Sequence, residues 1–285
     1  GVGKDRVMAT YRARVRARNH VAAFIKSFYR RSDMSMLELT PDFIKEFAAY
    51  LSTEAGLRNG SIWANCMWLK GVVMKAHYNG LIPRNPFIQF HISPNVKERE
   101  YLTEDELKAV MTHEFADSKL AYIRDIFIFA SFTALSFVDI QELTNDNIVE
   151  VNGEKWILSK RHKTKVAFQV KLLDIPLQIV ERYRPMQKDN RIFPGLNYWS
   201  ICKPLKRMIR ECGITKSISF HCSRHGFATL ALSKGMPIES VSRVLGHTNI
   251  VTTQLYAKIT TQKLDNDLTM FGDKLSKTFN GITMS

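Results

Sequence analysis

Four residues in the last quarter of the sequence combine types and spacing suited to chemistry at a backbone phosphodiester. His221 and Arg224 lie three apart in Phe220-His221-Cys222-Ser223-Arg224-His225-Gly226, a spacing that at a helix start turns both toward one substrate. His247 follows 23 residues after Arg224, in Leu245-Gly246-His247, and Tyr256 nine residues later, in Gln254-Leu255-Tyr256-Ala257. A tyrosine oxygen can attack phosphorus in line with the departing sugar oxygen. Charge then gathers on the nonbridging oxygens, where guanidinium and imidazole donors can stand in for a metal. Tyrosine, with an ordinary pKa of about 10, is a poor nucleophile unless nearby cations or a base help remove its proton. The departing 5′ oxygen needs a proton in turn, and lysine is a suitable donor. A covalent phosphotyrosine would conserve the bond energy, so that resealing requires no nucleotide triphosphate.

Taken singly these signals are weak: an H-x-x-R pair is ordinarily a helix-surface coincidence and a tyrosine ordinarily core or rim. His221 and His225 even have the spacing of a metal pair, but no carboxylate or further ligand stands nearby. No metal and no cofactor are expected.

The elements that must position these groups are mostly helices. Asp5 to Arg31 has apolar side chains at Tyr11, Val15, Val21, Ile25 and Phe28, near helical spacing, with Arg12, Arg14, Arg16 and Arg18 around them. These arginines form either a solvated face or a DNA contact, and the basic surroundings favour the contact. Thr40-Pro41-Asp42 reads as an N-cap with proline at the first helical position, opening a helix to about Glu54. Ser61 to Tyr78 is a third helix, stopped at Asn79-Gly80. Residues 81 to 99, with Pro83, Pro86 and Pro94, lose all periodicity and read as connecting chain. The domains are set at 1–90 and 101–285, with the linker at 91–100.

The second domain opens on a capping box, Thr103 with Glu106. Helices are expected at 103–113 and 118–135. A small sheet follows, with Asn152-Gly153 joining strands 148–151 and 155–159 and a third strand at 166–172. Further helices are expected near 176–186, 198–212, 222–234, 238–245, 249–258 and 262–278. The fold class is mainly α: a helical N-terminal domain, then a mostly helical domain with a small antiparallel sheet.

A net charge of +14 points to a polyanionic partner. The first 96 residues carry 14 basic and 6 acidic side chains and the remainder 27 and 21, so the first third holds more than half the excess. Charge alone fits a merely basic soluble protein equally well. The four cysteines, Cys66, Cys202, Cys212 and Cys222, are scattered without a C-x-x-C pair, which argues against a disulfide framework or zinc site and for a reducing compartment. No apolar run reaches the roughly 18 residues that a membrane-crossing helix requires.

In this order and spacing the motifs resemble the tyrosine recombinase (phage integrase) family, from about Lys4 to the end. Gly80-Leu81-Ile82-x-x-Asn85-Pro86-Phe87 and Tyr101-Leu102-Thr103 belong to the same resemblance. It implies that Tyr256 is the nucleophile, Arg224 the second catalytic arginine, and His221 and His247 its companion histidines. Lys163, in Arg161-His162-Lys163-Thr164, matches the lysine that protonates the leaving oxygen, with Lys165 a competitor and a further DNA contact. The family's first arginine is missing: in Thr133-Ala134-Leu135-Ser136 its place is taken by Ser136. Loss of such a donor costs on the order of 2.7–4 kcal/mol of transition-state stabilisation. Arg124 is the candidate substitute, its alternative reading being a surface arginine, and Asp139 matches an acidic position that orients its neighbours.

The serine narrows the resemblance to integrases of Bacteroides-type conjugative transposons. The implied protein is a C-shaped clamp on double-stranded DNA at attachment sites. It would be a homotetramer on two duplexes, with accessory DNA-bending proteins as partners, in the bacterial cytoplasm. The C-terminal helix, with Leu264, Leu268, Phe271 and Leu275 on one face, would pack on a neighbouring subunit or on its own core. The start, Gly1-Val2-Gly3-Lys4, is neither an initiator methionine nor a signal peptide; the resemblance allows an upstream arm-binding domain, and whether one has been removed stays open. Two other readings stay open: a type IB topoisomerase, and a DNA-binding protein that has lost catalysis.

Overall fold

The periodicity of the first ninety residues becomes three helices, α1 (Met8–Phe28), α2 (Phe43–Thr53) and α3 (Asn59–Tyr78), in a computed structural model. It describes residues 8–94, 100–162, 166–187, 189–256, 261–278 and 280. The chain divides into two units, 1–98 and 99–285.

The first unit is organised around Phe24, fully buried and in ring contact with Phe28, Tyr29, Phe43, Phe47 and Tyr50 at centroid distances of 5.1–5.7 Å. The opening of α2 differs from expectation. Its N-cap is Asp42, with no side-chain capping bond, and Thr40 contributes only its carbonyl, which accepts the N–H of Phe43. The Asp42 carboxylate is taken by Lys45 at 2.9 Å, leaving Pro41 and Asp42 as a turn ahead of the helix. The proline-rich stretch after α3 lacks a helix, as expected, but much of it is core rather than tether. Asn85 accepts the N–H of Phe87 at 2.9 Å, a local turn that sends Phe87 inward, and Ile82 and Phe87 are buried with the aromatic cluster. Proline removes backbone donors without preventing burial of its neighbours.

In the second unit α4 (Glu104–Thr112) starts at the Thr103–Glu106 capping box. The central element is α5 (Ser118–Thr133), which carries Ile123, Ile126, Phe127 and Phe129 into the main core and is packed by later helices on several sides. It ends at Thr133 rather than 135, because Ala134 takes a left-handed conformation (φ 55°). A short helix absent from the sequence-based expectations follows, α6 (Phe137–Gln141), started by Ser136. Three antiparallel strands come next in the order β1 (Ile148–Val151), β2 (Glu154–Lys160), β3 (Ala167–Lys171). Asn152 and Gly153, both at positive φ, make the β1–β2 turn, and Val151 pairs with Glu154.

The remaining helices are α7 (Asp174–Tyr183), α8 (Tyr198–Glu211), α9 (His221–Ser233), α10 (Ile238–Leu245), α11 (Val251–Gln254) and α12 (Thr261–Thr278). α11 is one turn, shorter than the expected 249–258. A satellite core of Ala134, Ala228, Leu232, Val241 and Leu245 ties the end of α5 to α9 and α10, with Tyr256 packed against it. No helix among the described residues is long and apolar enough to cross a membrane.

Candidate active site

Arg224 lies in the first turns of α9 and is buried, a position that requires its guanidinium to find acceptors inside the protein. It donates Nη1 to the carbonyl of Ala134 at 2.8 Å and Nη2 to the carbonyl of Leu245. The left-handed turn at Ala134 ends α5 at this point, and Leu245 ends α10. Burial pulls the Arg224 pKa down to about 10, helped by the nearby Arg161, while Tyr256 and Asp139 oppose the shift. The group therefore stays charged at neutral pH.

A second buried cation meets the same helix end. Arg161, just beyond β2, donates Nη2 to the Val244 carbonyl at 2.6 Å and Nη1 to Asp139 at 2.7 Å, and its guanidinium lies 4.1 Å from the Phe168 ring centre. Two arginines thus cap the C-terminal carbonyls of α10, where the helix dipole favours positive charge. Gly246 makes this approach possible. It holds φ +61°, and a Cβ there would stand 2.9 Å from Arg161 Nε. The glycine of Leu-Gly-His is needed both for its backbone and for the space.

Asp139 fixes Arg161. Its carboxylate also accepts the Ser136 hydroxyl at 2.7 Å and the His162 N–H at 3.0 Å. Burial alone would raise its pKa, but the His162 N–H, the Ser136 hydroxyl and Arg161 outweigh that and hold it below the usual carboxylate range. Ser136 is thereby committed to capping α6 in a reciprocal box with Asp139. It provides no charge.

His247 follows Gly246, its Nδ1 hydrogen-bonded to the hydroxyl of fully buried Thr253 at 2.8 Å. Burial, then Arg224, Arg161 and His221, push its pKa down to about 4, so the ring is neutral at pH 7. The Tyr256 ring lies 6.5 Å from that of His247, nearly parallel, and 5.1 Å from that of His225. His221, first residue of α9, meets His225 edge-on at 4.9 Å. The structure therefore brings His221, Arg224, His247 and Tyr256 together, and adds Arg161 and His225.

Other expected residues lie elsewhere. Arg124 does not join this group. It donates to the His113 carbonyl and to Asp125, both at 2.8 Å, and lies over Phe115. Ten residues separate it from Ala134 (about 15 Å of helix axis), which puts it in the wrong half of α5 to replace the charge missing at Ser136. Lys163 and Lys165 lie outside the described residues; on either side of them Arg161 donates its N–H to the Val166 carbonyl at 2.8 Å. Arg12, Arg16 and Arg18 are exposed on α1 and Arg14 is half-buried, with no ion pair to another described residue. Arg161 was within a stretch singled out for its lysine, but its partners are 22 and 83 residues away, beyond any local spacing rule.

The arrangement offers two fixed cations, a neutral imidazole and a phenol around one helix end, with no cluster of three or more metal-ligating side chains among the described residues. Comparison with known proteins agrees with the fold. The phage integrase SAM-like domain matches residues 2–92. Tyrosine recombinase XerA of Pyrococcus horikoshii is 32% identical over 177 residues, covering 57% of this chain and 58% of the relative. Tyrosine recombinase XerC of Lactobacillus leichmannii is 25% identical over 229 residues, covering 75% and 77%. The chain thus spans less than two thirds of the first of these relatives and more of the second. Among solved structures, the Tn1549 transposon integrase in complex with a circular intermediate DNA superposes with a TM-score of 0.79 at 17% identity, covering 94% of this chain and 95% of that one. XerH bound to its difH substrate gives 0.69 at 18% identity, covering 93% and 80%. The phage integrase family itself matches residues 100–263, more than half of the sequence and all four of the clustered residues, and this chain belongs to that family of tyrosine recombinases.

Proposed function

We propose that this protein is a site-specific DNA recombinase that cuts and rejoins strands through a 3′-phosphotyrosyl bond to Tyr256, without a metal, in the integration and excision of a mobile element. The observation that carries the reading is the meeting of Arg224 and Arg161 over the end of α10, beside Tyr256 and His247. A phosphate here would set its nonbridging oxygens against cations already held in place, so little reorganisation accompanies the attack. The same cations favour the phenolate. His221 and neutral His247 serve as imidazole donors to the phosphate, and Lys163 as the acid for the 5′ oxygen. Arg161, rather than Arg124, makes up the charge absent at Ser136.

The α1 arginines and Lys165 are assigned to the DNA backbone. The exposed face of α12 is assigned to a neighbouring subunit in a tetramer on two duplexes, with a DNA-bending protein as accessory partner. A mobile-element role is supported by the structural neighbour, a transposon integrase.

The serine at 136 favours one other reading, a DNA-binding protein that has lost cleavage. One experiment separates them. The chain is incubated in EDTA with a pool of randomised, nicked duplexes, and DNA that stays attached after denaturation is sequenced. The selected duplex is then tested with the wild type and Tyr256→Phe. A covalent band that survives EDTA and disappears in Tyr256→Phe is the expected result. No band on a duplex that the chain binds would leave the DNA-binding reading. Relaxation of supercoiled DNA without exchange between two duplexes would indicate a topoisomerase.

A further inference from the structure

His225 lies one residue after Arg224 and four after His221, a spacing that puts the two histidines on the same face of α9. Its ring is in contact with those of both His221 and Tyr256. We propose that His225 is a further catalytic residue, the base that takes the Tyr256 phenolic proton as the phosphate is attacked; this rests on the recombinase reading.

The argument starts from the need. A phenol with a pKa of about 10 gives up its proton at neutral pH only to a nearby acceptor or to strong positive surroundings. Two imidazoles flank the Tyr256 ring. His247 is the poorer acceptor: burial and three neighbouring cationic or imidazole groups hold its pKa near 4. His225 is nearer, its ring centroid 5.1 Å from that of Tyr256 against 6.5 Å for His247. Among the described residues, the titratable and charged groups at this corner are His221 and Arg224 on α9, Asp139 on α6, Arg161 beyond β2, His247 after α10 and Tyr256 after α11. Arg224 and Arg161 suit the phosphate, and His221 makes its ring contact with His225. The remaining imidazole is the one against the nucleophile.

The step balances. The Tyr256 O–H bond breaks and its proton passes to an imidazole nitrogen of His225. The phenolic oxygen bonds to phosphorus, the bond from phosphorus to the 5′ oxygen breaks, and that oxygen takes a proton from the acid assigned to Lys163. On resealing, protonated His225 returns its proton to Tyr256.

The test uses the selected duplex with sulfur in place of the scissile 5′ oxygen. The thiolate leaves without protonation, so cleavage reports the attacking side alone. His225→Phe keeps a ring against Tyr256 and removes the base; His225→Ala leaves space for added imidazole. With DNA binding unchanged, His225→Phe is expected to slow cleavage on the order of 10²–10⁴-fold and to change the pH dependence of the rate. Imidazole is expected to restore much of the rate to His225→Ala. Cleavage by His225→Phe within threefold of wild type overturns the proposal. So does a loss in His225→Ala that imidazole leaves untouched, or a pH profile that changes with His221→Phe and not with His225→Phe. A wild type that forms no covalent product on any duplex defeats the recombinase reading instead.

Discussion

At the residue scale, the proposed site poses a substitution problem. Ser136 caps a helix and cannot hold a phosphate charge, while Arg161 reaches the same acid, Asp139, from a strand end 22 residues later. Arg161→Gln should slow covalent complex formation by about 10²–10³-fold, the usual cost of one electrostatic donor. The variant also leaves Asp139 without its cation, so instability could mimic that loss. Adding Ser136→Arg resolves the ambiguity, since the new arginine can pair with Asp139 from its other side. The double variant should recover most of the cleavage rate in the denaturing-gel assay. If it folds and binds DNA yet stays as slow as Arg161→Gln, the charge at this place is not what matters. Gly246→Ala is expected to be damaging in both respects, by at least about 1 kcal/mol from the positive φ and by displacing Arg161. Melting temperature and cleavage should fall together. His247 adds a pH dependence. Its pKa is depressed in the fold, so between the ordinary histidine value and about 4 the unfolded chain binds more protons than the folded one. Folding stability should therefore decline as pH falls through that window, and the decline should be shallower in His247→Gln, as read by urea titrations at each pH.

At the scale of elements, helices and the hairpin were legible because their signals are local. Thr103-x-x-Glu106 starts α4 as a capping box, and Asn152-Gly153 turns β1 into β2. The irregular stretch after α3 was read correctly as helix-free but its burial was not visible, since the contacts of Phe87 with Phe43 arise across 44 residues. α6 starts at a capping signal, Ser136-x-x-Asp139, but spans only five residues, too few for a helical period to mark it in the sequence. The residues of the proposed site were marked by motif, whereas Arg161 was not, because its partners are reached by tertiary contacts alone. The two caps allow a controlled comparison. Thr103→Ala and Ser136→Ala should each cost about 1 kcal/mol in chemical denaturation. Only Ser136→Ala should also slow cleavage, and by less than tenfold, since Arg161 and the His162 N–H still hold Asp139. Equal cleavage rates in the two variants would mean that the cap does not help to place Arg161.

At the scale of the whole molecule, the exposed apolar groups on α12 demand an account. Leu264, Leu268, Phe271 and Leu275 recur at intervals of four, three and four residues, and all are 39–58% exposed. That spacing makes one continuous stripe along a helix, a pattern suited to burial against another surface. A chain with net charge +14 repels its own copies in solution, so on the proposed reading the stripe would meet a neighbouring subunit on DNA. Neutralised phosphates remove that repulsion, and bound copies are held at high local concentration. The double variant Leu268→Glu with Phe271→Glu should accordingly bind a single selected site about as tightly as wild type. It should lose the slower, multi-subunit band in native gels and the exchange of strands between two labelled duplexes. Covalent attachment to a nicked duplex should persist if Tyr256 works within its own subunit. Should the variant keep its higher assemblies, or should it unfold without DNA, α12 covers its own chain and subunit contact must come from another face.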